Sequence, residues 1–212
     1  MDPCMPTREE MFAALEMRQG AEAVRKLQAA TVAVCGLGGL GSNIAISLAR
    51  AGVGKLVLVD FDCVDVTNLH RQQYKACQVD MPKPEALLAN LKEIAPYTEF
   101  ETHFEKVTAE NVATLLAKAD VVCEAFDNAE AKAMLVNAVL ETMPDKFLVA
   151  ASGMAGFDGG NAIRTRRITD KFFLCGDGVS DVDGGIGLVA PRVMLCAAHQ
   201  ALTVVRLILG LE

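Results

Sequence analysis

Apolar residues along this chain follow two alternating rhythms. Short runs that are apolar at nearly every position, TVAVC (31–35), KLVLVD (55–60), DVVCEAF (120–126) and KFLVAAS (146–152), each fit one β-strand, and EFETHF (99–104) fits another. Helical patterns lie between them. Leu40 to Ala51 is closed by Gly52; Pro84 to Ile94 carries Leu87, Leu88, Leu91 and Ile94 on one face; Ala109 to Lys118 and Ala129 to Met143 follow. Strands apolar throughout, separated by helices, predict a parallel sheet covered on both faces. The expected fold is therefore α/β, a Rossmann-like doubly wound, mostly parallel sheet. Residues 1–30, mixed in charge and helical over 8–29, form a lead-in.

The last segment, Val189 to Leu211, is the most apolar. A membrane-crossing helix needs roughly 20 nearly uninterrupted apolar residues. Here Arg192, Cys196, His199, Thr203 and Arg206 recur at steps of three and four. One polar stripe on an otherwise apolar helix predicts burial on most sides, in part against a second subunit, and no membrane. The Gly- and Asp-rich stretch CGDGVSDVDGGIG (175–187) predicts a mobile loop, within a crossover segment over 172–187. With no internal repeat and no long linker, the 212 residues are expected to form a single domain, 1–212.

Composition narrows the functional classes. The net charge of −7, without a long acidic block, argues against nucleic-acid binding. The N-terminus MDPCMPTREE has acids where a secreted protein would have an apolar core. Seven scattered cysteines, at 4, 35, 63, 77, 123, 175 and 196, suit a reduced, cytoplasmic protein. No C-x-x-C pair occurs, so no structural zinc is expected, and the histidines at 70, 103 and 199 do not form a metal cluster by spacing.

Candidate chemistry gathers where strands end. The first strand runs into VCGLGGLGSN, which holds G-x-G-x-x-G as Gly36, Gly38 and Gly41 with Gly39 inside, and opens a helix. Such glycines permit a tight turn and let backbone N–H groups meet a phosphate at the helix's positive end. The next strand ends in Asp60, nineteen residues after Gly41, where an acid can take ribose hydroxyls. The loop after it, DFDCVDVTNLHRQQY, carries Asp60, Asp62 and Asp65, then Asn68, His70, Arg71 and Gln72. An Arg and an Asn beyond a strand's carboxyl end are placed to meet phosphate oxygens, although a polar surface turn has the same composition. Lys83 in MPKPEALL adds a second cation at a helix start. In VVCEAFDNAEAK, Asp127 and Asn128 stand where a strand gives way to a helix; either makes a good N-cap, and Asp127 could equally hold a metal or a ribose.

GLGGLGSN, DFDCVDVTNLHRQ, PKPEA and EAFDNAEAK, in that order and spacing, resemble the ubiquitin-activating superfamily. The branch most similar is the bacterial one that adenylylates small sulfur-carrier proteins, and within it the shorter ThiF-type enzymes of thiamine biosynthesis. The resemblance spans about residues 18 to 210. It implies ATP as a substrate, with Gly36, Gly38, Gly39 and Gly41 as the nucleotide loop and Asp60 as its acid, joined by Asp62. It also implies that Asn68, Arg71 and Lys83 meet the phosphates and that Asp127 is the magnesium ligand. Arg18, in an R-Q pair with Gln19, matches an arginine that family members lend to the neighbouring subunit's ATP, which implies a homodimer. The implied partner is a small ubiquitin-like sulfur-carrier protein with a Gly-Gly C-terminus. The chain departs from longer relatives in lacking two zinc-binding C-x-x-C pairs, in having Glu124 as the first acid before the helix, and in having His70 for a common Gln. Cys175 lies at the edge of the region where some relatives carry a carrier-linking cysteine.

The resemblance implies attack of the carrier's terminal carboxylate on the α-phosphorus of ATP. Activating enzymes for molybdopterin-type carriers and tRNA-modifying relatives share these motifs. An NAD-dependent dehydrogenase would explain the glycine loop and Asp60 but would give Arg71, Lys83 and Asp127 no joint role. A non-catalytic nucleotide-binding protein on the same fold is the other rival.

Overall fold

Thr31–Cys35 (β1) pairs in parallel with Lys55–Asp60 (β2) on one side and with Val121–Glu124 (β4) on the other. Chain winding therefore reverses at β1, and a crevice opens beyond the carboxyl ends of β1 and β4. The computed structural model describes residues 5–181 and 187–212. Its sheet adds Glu99–Phe104 (β3), Phe147–Ala151 (β5), Arg164–Arg167 (β6) and Phe172–Gly176 (β7), in the order β3-β2-β1-β4-β5-β7-β6. Only β6 runs antiparallel to its neighbour. The helices are Arg8–Gln19 (α1), Ala21–Ala29 (α2), Gly39–Ala51 (α3), Lys83–Ile94 (α4), Val112–Leu115 (α5), Ala129–Thr142 (α6) and Ala190–Leu209 (α7).

Alternation within each strand explains why the runs are apolar at every position. Val32, Val34, Leu56 and Leu58 face one layer with Ile44, Leu48, Leu87, Leu91, Val193 and Val204. Ala33, Cys35, Val57 and Val59 face the other with Val112, Leu116, Leu135 and Val139. Each fully buried leucine in these layers contributes about 2 kcal/mol relative to exposure.

Four segments differ from the sequence expectation. Gly20, at φ 88, splits the helical lead-in into α1 and α2. The pattern over 109–118 yields only Val112–Leu115, because Asn111 turns its side chain back to the Thr108 N–H (2.8 Å) and to the Lys106 carbonyl (2.9 Å). A side-chain amide that competes for the backbone in this way delays a helix start. Residues 172–176, expected to open the crossover loop, form β7, paired with β5 and β6. The central part of that expected loop, 182–186, lies outside the described residues.

The fourth difference concerns α7. Its polar stripe is turned inward: Arg192, Cys196 and Thr203 are buried, as is Gln200, while Met194 and Leu202 are exposed. The sheet margin supplies the polar partners. Arg192 donates to Asp177, and Thr165 lies within hydrogen-bond reach of His199, Thr203 and Cys175. Arg206 alone of the predicted stripe is exposed and pairs with Glu212. By length and composition α7 could cross a membrane, and half of it is buried within the fold.

Candidate functional site

The glycine loop is shaped by what surrounds it. Gly36 has φ 88 and donates to the Val59 carbonyl (2.8 Å); a side chain there would lie 2.7 Å from the Ala125 oxygen. At Gly41 a Cβ would fall 1.8 Å from the Gly36 carbonyl oxygen, so α3 can approach the strand end only with glycine in this place. A Cβ at Gly39 would meet Val193 Cγ1 at 2.9 Å, which brings the first turn of α7 against the loop. No side chain caps α3. Its first-turn amides therefore face the crevice as an anion-binding end.

Asp60 braces this loop from below. It is buried, and its two oxygens accept from the Leu37 N–H (2.6 Å) and the Asp62 N–H (2.8 Å). Burial pushes its carboxyl above the ordinary value, against the pull of Lys83 and of the two amides. Asp62, by contrast, is half exposed, and its Oδ2 lies 2.8 Å from Lys83 Nζ. Lys83 is itself buried as the first residue of α4, with Pro82 as the N-cap. It stands 4.0 Å from Asp60 as well, so one ammonium serves two carboxylates. Tyr74 completes the brace by donating to the Leu37 carbonyl (2.7 Å).

The N-L-H-R-Q turn closes over the same end of α3. Asn68 starts no helix of its own beyond a short turn, Val66–Asn68, capped by Asp65. Its Oδ1 accepts from Arg71 Nη2 (3.0 Å). Asn43 Nδ2 donates to the Gly39 carbonyl (2.6 Å) and reaches the Arg71 carbonyl (3.3 Å), binding the turn to the helix. Two buried polar atoms are left without partners here, Arg71 Nε and Gln72 Oε1. Orphaned buried polar atoms cost about 1–3 kcal/mol each, so their presence beside an open helix end marks a place for a polar ligand.

Across the crevice, Asn128 caps α6 by accepting from the Ala131 N–H (2.9 Å), which settles the choice of cap and leaves Asp127 exposed beside it. Glu124 is almost wholly buried; both its oxygens lie 3.0 Å from Lys132 Nζ, and Phe126 N–H donates to it at 2.7 Å. Burial raises its carboxyl, while the Lys132 charge and hydrogen bonds pull it down. Lys132 also donates to the Ala151 carbonyl (3.1 Å), linking β4 to β5 at the crevice floor.

Glycine loop, Asp60, Asp62, Asn68, Arg71 and Lys83 thus converge on one end of the sheet, with Asp127 across the crevice in the turn between β4 and α6. Arg18 does not join them within the subunit. It is exposed on the last turn of α1, next to Gly20, which lines a surface hollow with Leu209 and Leu211. α1 meets the far end of α3, with Leu15 Cδ1 3.1 Å from where a Cβ on Gly52 would stand. Thirteen helical residues place that end about 20 Å from the glycine loop. Cys175 lies inside β7, fully buried, its thiol pushed up by burial, and is no accessible nucleophile. Tyr74 and the partnership of Lys132 with Glu124 carry no sequence signal of their own, although Gln72 and Glu124 stand within the motifs. Tyr74 gains meaning only through its place after N-L-H-R-Q.

The model of the ThiF family matches residues 13–212. The chain belongs to the ThiF family. Among the relatives of this ThiF-family protein is "Adenylyltransferase and sulfurtransferase MOCS3" of Aedes aegypti, 34% identical over 154 residues, covering 68% of this chain and 35% of the relative. Another is "Molybdopterin-synthase adenylyltransferase" of Haemophilus influenzae, 39% identical over 111 residues, 52% of this chain and 46% of the relative. The chain thus spans less than half the length of these curated relatives. Escherichia coli tRNA N6-threonylcarbamoyladenosine dehydratase, solved in complex with ATP, shares the fold, with a TM-score of 0.85, 22% identity and 95% of each chain covered.

Proposed function

We propose that this ThiF-family protein is a nucleotidyltransferase that adenylylates the C-terminal glycine of a small ubiquitin-like sulfur carrier, a ThiS-type protein of thiamine thiazole biosynthesis, in the cytoplasm. The observation that carries this reading is the open amino end of α3 flanked by Arg71, whose buried Nε has no partner, and by Lys83. A hydride carrier needs the glycine loop and an acid but not two cations and a separate carboxylate across the crevice. The names of the two curated relatives above, both adenylyltransferases, point the same way.

In the proposed reaction a carboxylate oxygen of the carrier's last glycine forms a bond to the α-phosphorus of ATP. The bond from that phosphorus to the bridging oxygen breaks, and pyrophosphate leaves with the electron pair. A carboxylate is already ionised at pH 7, so no general base is needed, and catalysis consists of positioning and charge neutralisation. The first-turn amides of α3 and the glycines 36, 38, 39 and 41 cradle the phosphates. Arg71 and Lys83 meet the charge that develops on the leaving group, with Asn68 fixing the Arg71 plane. Asp62, half exposed, takes the ribose hydroxyls, and Asp60 holds the loop on which they rest. Asp127 fits magnesium, an ion that binds through one or two carboxylates together with substrate phosphates. When bound, magnesium supplies neutralisation of the triphosphate.

Homodimerisation is part of the proposal. Arg18 belongs to α1, which packs against the far end of α3, about 20 Å along that helix from the glycine loop, so it would serve ATP in a neighbouring subunit. The exposed Met194 and Leu202 on the outer side of α7 offer an apolar surface for that contact. A carrier of molybdopterin type would use the same chemistry. Mass spectrometry of candidate carriers ending in Gly-Gly, incubated with this protein and ATP, tests the assignment. Adenylate on the ThiS-type carrier is the expected result; adenylate on the molybdopterin-type carrier alone would transfer the protein to that pathway, and adenylate on neither would remove the activity.

A further inference from the structure

We propose that His70 is a positioning residue for Arg71: as a neutral imidazole it holds the guanidinium, and on protonation it lets go. The inference rests on the ATP reading above and deepens it. His70 Nδ1 lies 3.0 Å from the Thr67 carbonyl oxygen. A carbonyl can only accept, so this nitrogen carries a proton. The other nitrogen, Nε2, faces two groups of opposite demand. The Leu188 carbonyl, 3.2 Å away, requires an N–H there; Arg71 Nη1, 3.4 Å away, requires a lone pair. One nitrogen cannot meet both.

The ring therefore has two states. Neutral, with its proton on Nδ1, it accepts from Arg71 Nη1 through Nε2. With Asn68 Oδ1 holding Nη2 at 3.0 Å, the guanidinium is then tethered at two points and its buried Nε is left for an anion. Protonated, the ring donates Nε2–H to Leu188 instead, and Arg71 loses an acceptor and gains a like charge beside it. Among the described residues, the other charged groups around the ring are already engaged. Asp65 on the same turn accepts from the Thr67 N–H (2.7 Å) and Oγ1 (2.5 Å). The described part of the returning segment offers the Leu188 backbone, and the first turn of α3 (Gly39 to Asn43) is uncharged. Arg192 at the start of α7 is committed to Asp177 and to the Asp158 carbonyl.

The test is the Kd for ATP with magnesium, measured by calorimetry without a carrier, at about pH 8 and about pH 5.5. Wild type, His70→Gln and His70→Ala are compared, with melting temperatures at both pH values to report folding. A glutamine oxygen can accept from Arg71 but does not titrate. Acidification should weaken the wild type roughly three- to tenfold more than His70→Gln, the worth of one net hydrogen bond. His70→Ala should bind weakly at both pH values. The terminal phosphate of ATP titrates in the same range, but equally for all three proteins, so it cancels in the ratio. Equal pH ratios for wild type and His70→Gln, or wild-type affinity in His70→Ala at the higher pH, would overturn the role of His70 and leave the ATP reading intact. A folded wild type that binds no ATP at either pH would overturn the ATP reading and this inference with it.

Discussion

Replacing Lys132 by methionine isolates the buried pair at the crevice floor. Glu124 is 1% exposed, and both its oxygens lie 3.0 Å from Lys132 Nζ. Without the lysine, the carboxylate keeps only the Phe126 N–H at 2.7 Å and a long contact to the Ala151 N–H at 3.5 Å. Breaking one side of a buried pair costs about 3–5 kcal/mol. Lys132 is 23% exposed, so the lower figure, about 3 kcal/mol, applies. For a chain of this size that is a fall in Tm of roughly 6–12 °C. The loss should depend on pH. Burial sets the native pKa of Glu124 above its unfolded value, so between the two values the folded chain binds more protons and stability falls as pH rises. Removing Lys132 raises the native value further and widens that window. Melting followed by circular dichroism should show the full deficit near pH 8 and a smaller one near pH 5. The double variant Glu124→Gln, Lys132→Met should recover much of it at pH 8, because no uncompensated charge remains. A Lys132→Met protein that melts with the wild type at pH 8, or a deficit equal at both pH values, would refute the reasoning.

The glycine loop and the outer face of α7 give two further expectations. Gly41→Ala puts a methyl group 1.8 Å from the Gly36 oxygen and should cost about 3 kcal/mol or more, whereas Gly159→Ala, at φ −55 and ψ 139 with no atom within 4 Å of the added Cβ, should melt like the wild type. Equal melting temperatures for the two variants would contradict this. Met194→Glu with Leu202→Glu should convert a dimer to a monomer by light scattering at micromolar concentration; an unchanged mass would place the dimer contact elsewhere.

Layering and strand positions were legible because apolar runs such as TVAVC and KLVLVD report burial on both faces, a long-range property written locally. β6 was not, since RTRR lies on the exposed edge and its pairing with β7 has no periodic signature. The orientation of α7 was hidden for a related reason. A polar stripe does not say whether water or a polar sheet margin faces it, and Thr165, Asp177 and Asp158 are remote in sequence from Arg192 and Thr203. That the glycine loop, Arg71 and Lys83 gather at one end of the sheet was readable, because there motif and strand end coincide. The different burial of Asp60 and Asp62 was not, because the Leu37 N–H that caps Asp60 at the end of β2 is remote from it in sequence.

Carrier-dependent exchange of pyrophosphate into ATP tests the central claim most directly. The wild-type protein with a Gly-Gly-tailed carrier should catalyse it, while Arg71→Ala and Asp127→Ala should melt with the wild type and show no exchange. Full exchange in both variants, or none in the wild type with any glycine-tailed carrier, would contradict the account.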